Sequence, residues 1–259
     1  MKRLALALCA ATALAATASV PEQGPLPADK IPAAIKDAVA AADRPDADKA
    51  LDAGREPAQM LAFFGVAPGM NVADLFAGGG YTTELLSRVV GPSGKVWSQE
   101  PVFPPDRKQI EDAWQERLKR PVLANVTPVH KSFSEPDFLP APPDSLDVVV
   151  MNMNYHDIVL QGGDRKPINA AVLKALKKGG VYGIVDHSAI PKSGIESLSL
   201  HRIDESLLTA EVEKAGFKLD AASSVYRHPE DDRTWNTSPR AAGEKRGTSD
   251  RFMLRFVKP

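Results

Sequence analysis

Two acids and a run of glycines in the first half of the chain could bind a nucleoside. Asp74 lies in a short apolar segment, Gly78, Gly79 and Gly80 follow it, and Glu100 ends the next apolar segment. Glycines let the backbone take positive φ and approach a ligand closely. A carboxylate at the end of a strand can accept hydrogen bonds from both hydroxyls of a ribose. Because the glycines are consecutive, the Gly-x-Gly-x-x-Gly fingerprint of dinucleotide sites is absent and no pyrophosphate site is predicted.

A second cluster of reactive side chains lies at residues 152–157, which read Asn-Met-Asn-Tyr-His-Asp after an apolar run. Ligands of open α/β sheets bind where strands end, so this cluster is predicted to contact a substrate. His156 is the candidate general base, because an ordinary imidazole titrates near pH ~6.5. Tyr155 or Asp157 is expected to orient it, and His187 and His201 are the alternative bases.

The same region could instead hold a metal for a hydrolase. The candidate ligands are His156, Asp157, Asp186, His187 and His201. Their number is sufficient, but no His-x-x-x-His or similar spacing is present. We therefore predict no metal site from the sequence.

Both clusters depend on alternating strands and helices to position them. Residues 71–76 and 95–99 are predicted strands, and the helix between them is expected to be capped by Thr82 or Thr83 and stopped by Gly91-Pro92. Strand and helix patterns continue to alternate to the end, which indicates an α/β fold.

Three further segments have patterns that predict two helices and a strand. Residues 46–64 and 106–119 are predicted to be single helices. Arg55 and Asp52 are expected on a solvated face of the first, and the alternative is that they approach the charged end of a cofactor or the substrate. Residues 251–258 read Arg-Phe-Met-Leu-Arg-Phe-Val-Lys, an alternation that predicts a half-exposed final strand.

The acid-and-glycine segment resembles the first motif of class I S-adenosylmethionine-dependent methyltransferases, in which glycines follow an acid at two, four and six residues. Gly78 and Gly80 match this spacing from Asp74, and Phe76 departs from it. Within that family the chain is similar to a group of predicted exported bacterial methyltransferases that carry Pro-Gly-Met before the motif and Asn-Tyr-His-Asp later. The resemblance covers residues 55–259.

The resemblance implies a doubly wound, Rossmann-like sheet of seven mostly parallel strands, with an antiparallel insertion at the end. It implies S-adenosyl-L-methionine as cofactor, held by Asp74, Ala77, Gly78, Gly79, Gly80, Glu100 and Asn152. The family places an acid after the third strand for adenine, where this chain has Lys-Ser-Phe-Ser at residues 131–134. Ser132, Ser134, Glu135 or the backbone are the alternatives there.

The first 18 residues have the pattern of an export signal. Lys2 and Arg3 precede an apolar run that ends in Ala16-Thr17-Ala18, a small-x-small cleavage site. Cleavage would remove Cys9, the only cysteine, and leave 30 of the 32 basic residues against 33 acidic ones. We therefore predict a periplasmic or secreted protein with no stable membrane anchor and no nucleic-acid partner. A proline- and alanine-rich extension at 19–45 and a methyltransferase-like domain at 46–259 would follow.

Two hypotheses of function remain from the sequence. The first is a methyltransferase that acts on an oxygen, nitrogen or carbon atom of a small molecule. The second is a protein that keeps the fold and binds a nucleoside-type ligand without turnover, which export favours because S-adenosylmethionine is made in the cytosol.

Overall fold

The computed structural model describes residues 20–101 and 108–259. The predicted signal segment and most of the predicted loop at 101–105 lie outside these ranges. The strands are Glu22–Gln23 (β1), Asn71–Leu75 (β2), Lys95–Glu100 (β3), Val126–His130 (β4), Leu146–Asn152 (β5), Leu176–His187 (β6), Lys218–Ser223 (β7) and Arg251–Val257 (β8).

The helices of the described ranges alternate with these strands. They are Ala33–Ala40 (α1), Asp46–Lys49 (α2), Asp52–Arg55 (α3), Pro57–Phe63 (α4), Tyr81–Val90 (α5), Lys108–Arg117 (α6), Asp157–Leu160 (α7), Arg165–Ala175 (α8), Glu205–Lys214 (α9) and Pro239–Ala242 (α10). Within residues 20–101 and 108–259, no helix combines the length and the apolar character that crossing a membrane requires.

The strands form one mixed sheet in the order β1-β7-β8-β6-β5-β2-β3-β4. Neighbouring strands are parallel except for β8, which is antiparallel to both β6 and β7. The predicted seven-stranded doubly wound sheet with a late antiparallel insertion is therefore confirmed. The eighth strand, β1, was not predicted as a strand, and it pairs with β7 at the sheet edge.

The predicted exposure of the last strand is wrong. Phe252, Met253, Leu254 and Phe256 are all buried. The strand lies in the interior of the sheet, between β6 and β7. Apolar layers cover both of its faces there, with Phe252, Leu254 and Phe256 in one layer and Met253 in the other. Alternation of apolar and polar residues predicts that one face of a strand is buried and the other exposed. A strand in the interior of a sheet that is covered on both faces does not follow this prediction.

The single helix predicted over residues 46–64 is also wrong. The segment contains the short helices α2, α3 and α4, with Glu56 in the left-handed region at φ 36°. Pro57 follows Glu56, and the residue before a proline is disfavoured in the α region. The chain therefore turns at Glu56, which brings Arg55 to the carboxyl edge of the sheet.

Two apolar layers pack on the opposite faces of the sheet. One contains α8 and α9, with Ile168, Val172 and Leu208 among its buried side chains. The other contains α1, α4 and α5, with Leu85 and Leu86 at its centre. Helices cover both faces, so the parallel strands are buried and their carboxyl ends are free to form a site.

Candidate active site

A cavity of about 580 Å³ lies at the carboxyl edge of the sheet. Its walls come from the glycine turn after β2, the segment after β5, the end of β6 and the loop before β8. This is the edge at which open α/β sheets bind ligands, and the volume is within the usual range of small-molecule sites. Both clusters predicted from the sequence contribute to it, the first through Asp74, Gly78 and Gly79, whereas Gly80 and Glu100 do not line it.

The glycine turn presents backbone to the cavity. Gly78 has φ 60° and lines the cavity, and a Cβ added to Gly78 or Gly79 would meet nothing within 4 Å. Gly80, at φ 81°, differs, because a Cβ there would come within 2.1 Å of the Trp114 indole. Gly80 is therefore needed for close packing of α6, whereas Gly78 and Gly79 leave space for a ligand.

The predicted threonine cap of α5 is wrong. The helix starts directly after Gly80, without a capping side chain. Thr83 Oγ1 instead donates to Asp74 Oδ2 at 2.6 Å. Burial raises the pKa of Asp74 to about 7, although the Thr83 hydrogen bond offsets part of this rise. Asp74 lines the cavity. Its carboxylate is held in place by the hydrogen bond from Thr83 in the first turn of α5.

Glu100 ends β3 and is completely buried. Neither of its carboxylate oxygens has a hydrogen-bond partner in the described part of the chain. Burial and the nearby Asp74 raise the pKa of Glu100 to about 10. A buried carboxyl without a donor is costly, so this position favours a ligand that supplies hydroxyl donors.

Replacing Glu100 by glutamine is expected to raise the unfolding temperature, by a margin that grows between about pH 5 and about pH 9. The folded chain keeps a proton on Glu100 up to about pH 10, whereas the unfolded chain releases it near the ordinary value of 4.5. Folded-state stability therefore falls as the pH rises, and glutamine removes this dependence.

Thermal unfolding of both proteins across this pH range measures the effect. Glu116→Gln, at an exposed position on α6, is the matched control and should leave the pH dependence unchanged. A constant difference between Glu100→Gln and the unmutated chain at all pH values would contradict the expectation.

Phe76 occupies the position where the family motif has its first glycine. Its φ is 61°, its N–H donates to Gln99 Oε1 at 3.0 Å, and its ring stacks on Phe133. Asn154 Nδ2 donates to the Phe76 carbonyl at 3.1 Å. These contacts let a phenylalanine hold the left-handed conformation that glycine adopts at lower cost.

Ala77 and Asn152, both predicted to bind the cofactor, line the cavity. The Ala77 N–H donates to the Gln99 carbonyl at 3.0 Å, which ties the turn to β3. Asn152 Nδ2 donates to Thr82 Oγ1 at 3.3 Å. The turn after β2 and the end of β5 are thus linked across the cavity.

The alternatives for adenine lie in a turn after β4. The Ser132 N–H donates to Glu135 Oε1 at 2.8 Å, and the hydroxyls of Ser132 and Ser134 are 2.9 Å apart. The turn is exposed, and these groups are bonded to one another. Its geometry does not select one of the three for adenine.

Three histidines and two aspartates meet at one end of the cavity. His156 Nδ1 is 2.6 Å from Asp186 Oδ1, and His156 Nε2 is 3.3 Å from both His201 Nδ1 and Asp157 Oδ1. His201 Nδ1 is 2.8 Å from Asp157 Oδ1. His187 packs edge-on against His156, with ring centroids 5.9 Å apart. The structure therefore brings together all five residues that have no common spacing in the sequence.

The charges in this cluster differ between the histidines. Burial lowers the pKa of His156, but Asp186 and Asp157 outweigh burial and raise it to about 10. Burial and the charge of His156 hold the pKa of His187 well below its ordinary value. His156 is therefore an imidazolium at neutral pH and His187 a neutral imidazole, so His156 carries the proton that a general base would have to accept.

Tyr155 points away from this cluster. It is fully buried, and its hydroxyl accepts from Asn169 Nδ2 at 2.8 Å and donates to Glu211 Oε2 at 3.2 Å. These partners lie on α8 and α9. The geometry gives Tyr155 contacts that hold the segment after β5 in place.

Four arginines line the cavity, namely Arg55, Arg117, Arg246 and Arg251, and sequence reasoning singled out only Arg55 among them. Arg55 had been expected on a solvated face, and its guanidinium lies 4.4 Å from the Tyr81 ring centroid. Asp52, its expected neighbour on that face, pairs with Arg44 at 2.7 Å. The one signal for Arg251 was topological, because the first residue of an antiparallel strand lies at the carboxyl edge of its parallel neighbours.

In sequence, the chain is only distantly similar to known proteins. No protein-family model matches the chain. A ubiquinone/menaquinone biosynthesis C-methyltransferase of Shewanella halifaxensis is 23% identical over 188 residues, covering 65% of this chain and 64% of the relative. The corresponding protein of Shewanella pealeana matches to the same extent. The chain thus spans less than two thirds of the length of these curated relatives.

Solved structures match over more of the chain. An S-adenosylmethionine-dependent methyltransferase from Aquifex aeolicus has a TM-score of 0.59 at 18% identity, covering 83% of this chain and 96% of that structure. An arsenic(III) S-adenosylmethionine methyltransferase from Chlamydomonas reinhardtii has a TM-score of 0.53 at 16% identity, covering 88% of this chain and 73% of that one. At such identities these likenesses establish the fold. The chain thus has the fold of these S-adenosylmethionine-dependent methyltransferases, and its sequence is distantly similar to the two curated C-methyltransferases.

Proposed function

We propose that this chain is an S-adenosylmethionine-dependent methyltransferase that acts on a small molecule. The observation that carries the proposal is Glu100, whose two buried oxygens lack partners in the described residues while the glycine turn leaves open space in the same sheet edge. A ribose supplies two adjacent hydroxyl donors, which would stabilise the ionised form of the Glu100 carboxyl that burial otherwise keeps protonated. The cavity volume of about 580 Å³ supports a small-molecule substrate.

The residues present fit this cofactor. Glu100 would accept from the ribose hydroxyls, the backbone of Gly78 and Gly79 would lie against the ligand, and Asp74 would face its positively charged end. When bound, S-adenosylmethionine supplies an electrophilic methyl group on a positively charged sulfur. Ala77 and Asn152, which line the cavity, are the other predicted cofactor contacts, whereas Gly80 packs against Trp114.

The cavity arginines also support a ligand that carries a carboxylate. Within the described residues, Arg55, Arg246 and Arg251 form no salt bridge with an acid. Burial lowers the pKa of Arg55, and the charge of Arg246 lowers it further. A carboxylate, such as that of the methionine moiety or of an acidic substrate, would relieve this repulsion.

The imidazoles at the other end of the cavity are the groups that could move a proton from the substrate. The assignment of His156 as general base, with Tyr155 and Asp157 as its partners, stays a prediction. His201 is the more accessible imidazole, with 31% of its side chain exposed, whereas His156 is 2% exposed. We therefore expect a substrate to reach His201 before His156.

Calorimetry of the purified chain with S-adenosylmethionine, followed by a search for S-adenosylhomocysteine after incubation with fractions of small metabolites, tests the proposal. Binding with product formation is expected. Failure to bind would overturn the proposal, and binding without product in every fraction would favour the alternative of a ligand-binding protein without turnover.

We further propose that the chain belongs with the exported methyltransferases it resembles and works in the periplasm or outside the cell. The basic start, the apolar run and the Ala-Thr-Ala sequence of residues 1–18 support this proposal. We expect the mature chain to begin at or near Ser19. N-terminal sequencing of the protein from its native cell decides this, and an intact Met1 on cytosolic protein would contradict it.

A further inference from the structure

Three potential ligand atoms of the histidine cluster lie close to one another. They are His156 Nε2, His201 Nδ1 and Asp157 Oδ1, and all lie within 4.8 Å of one another. Their separations are 3.3 Å, 3.3 Å and 2.8 Å. Two imidazole nitrogens and a carboxylate oxygen are a common donor set for first-row divalent metals.

The spacing matches that of metal ligands. Zinc binds imidazole nitrogen and carboxylate oxygen at about 2.0–2.1 Å, so two ligands of a tetrahedral ion lie about 3.3 Å apart. Two of the three separations have this value, and the third is about half an ångström shorter. A small movement of Asp157, which begins α7, would equalise them.

Asp186 supplies the outer partner that a metal-bound histidine requires. Its Oδ1 is 2.6 Å from His156 Nδ1, the nitrogen opposite the proposed ligand atom. The backbone N–H groups of His156 and His187 also donate to this carboxylate, at 2.9 and 2.7 Å. Metal-binding histidines commonly have such a carboxylate, which fixes the ring orientation and strengthens the ligand.

The cluster is open on the cavity side. The side chains of Asp157 and His201 are 19% and 31% exposed, and both line the cavity. His201 is held at φ 53°, in the left-handed region that costs energy for a residue other than glycine. The strained backbone brings its ring to face His156, which is consistent with a role for the ring at this position.

We propose that His156 Nε2, His201 Nδ1 and Asp157 Oδ1 bind a first-row divalent cation of the Zn²⁺ class, with a further coordination position open to the cavity. Binding would release the proton that the His156 ring carries in the metal-free chain. His187 is not part of this group of donors; its ring packs edge-on against His156, with ring centroids 5.9 Å apart. A cation there would bind an oxygen or sulfur atom of a substrate and stabilise its deprotonated form. The proposal does not depend on methyl transfer.

Titration of the metal-free chain with ZnCl₂ in a calorimeter tests the proposal. We expect one Zn²⁺ per chain, and a tetrahedral visible spectrum when Co²⁺ replaces it. Asp186→Asn retains all three ligands and should weaken Zn²⁺ binding about 10–100-fold. His201→Ala removes a ligand from a partly exposed position and should abolish binding, while thermal unfolding confirms that it folds.

His228→Ala is the matched control. His228 contacts Glu230 at 3.1 Å on the surface, so it forms a histidine–carboxylate pair outside the cluster. This variant should bind Zn²⁺ like the unmutated chain. No binding by the unmutated chain, or equal binding by His201→Ala, would overturn the proposal. The cluster would then be a network of hydrogen-bonded imidazoles and carboxylates. If the unmutated chain binds Zn²⁺, elemental analysis of freshly isolated protein distinguishes zinc from iron as the bound metal.

Discussion

Gly78→Val is expected to abolish S-adenosylmethionine binding, with an affinity loss of at least about 100-fold, or roughly 3 kcal/mol. Gly78 lines the cavity at φ 60°, and a Cβ there points into open space. A valine would place two methyl groups where the cofactor is proposed to lie, and it resists positive φ. Calorimetry with S-adenosylmethionine measures the loss.

Gly179→Val is the matched control for this effect. Gly179 has φ 77°, and a Cβ there also meets nothing within 4 Å, but it lies in β6 away from the cavity. Both variants therefore carry the same kind of backbone strain, and only Gly78→Val blocks the site. Unchanged affinity in Gly78→Val would discard the cofactor assignment.

Gly80→Val is not an equivalent test. Its Cβ would collide with Trp114 at 2.1 Å, so the side chain would displace α6. A loss of binding in that variant would not separate a blocked site from a moved helix. This distinction between neighbouring glycines follows from packing.

The second large effect is expected from His156→Ala, which should lower the free energy of unfolding by about 3–5 kcal/mol. His156 is 2% exposed and pairs with Asp186, which is 0% exposed. Removing the imidazole leaves a buried carboxylate without its charged partner, and this costs more than the pair contributes. Chemical denaturation at neutral pH measures the change.

The double variant His156→Ala with Asp186→Asn tests the cause. Asparagine removes the uncompensated charge, so the double variant should be more stable than His156→Ala alone. If the two substitutions instead destabilise additively, the buried ion pair is not the reason. His201→Ala, at a partly exposed position, is then the better variant for measuring turnover without a loss of folding.

The sequence predicted the parts of this protein that depend on neighbouring residues. The strand, glycine turn, helix and strand over residues 71–100 were predicted because apolar spacing and glycine act within a few residues. Pro57 disfavours a helical conformation of Glu56, and the single helix predicted over residues 46–64 is interrupted there. The prediction of a nucleoside-type ligand at the carboxyl edge of the sheet followed from Asp74, the glycines and Glu100.

The order of the strands and the composition of the cavity were decided only by tertiary structure. Insertion of β8 between β6 and β7 buried a strand whose alternation had predicted exposure, and it placed Arg251 at the cavity. His201 is 45 residues from His156 and faces it only because their two connections end at the same sheet edge. Side chains from separate connections have no common spacing, because their distance depends on how the sheet is assembled and not on the chain between them. The same assembly buries Glu100, whose carboxyl oxygens have no hydrogen-bond partner among residues 20–101 and 108–259. A ribose would supply the missing donors.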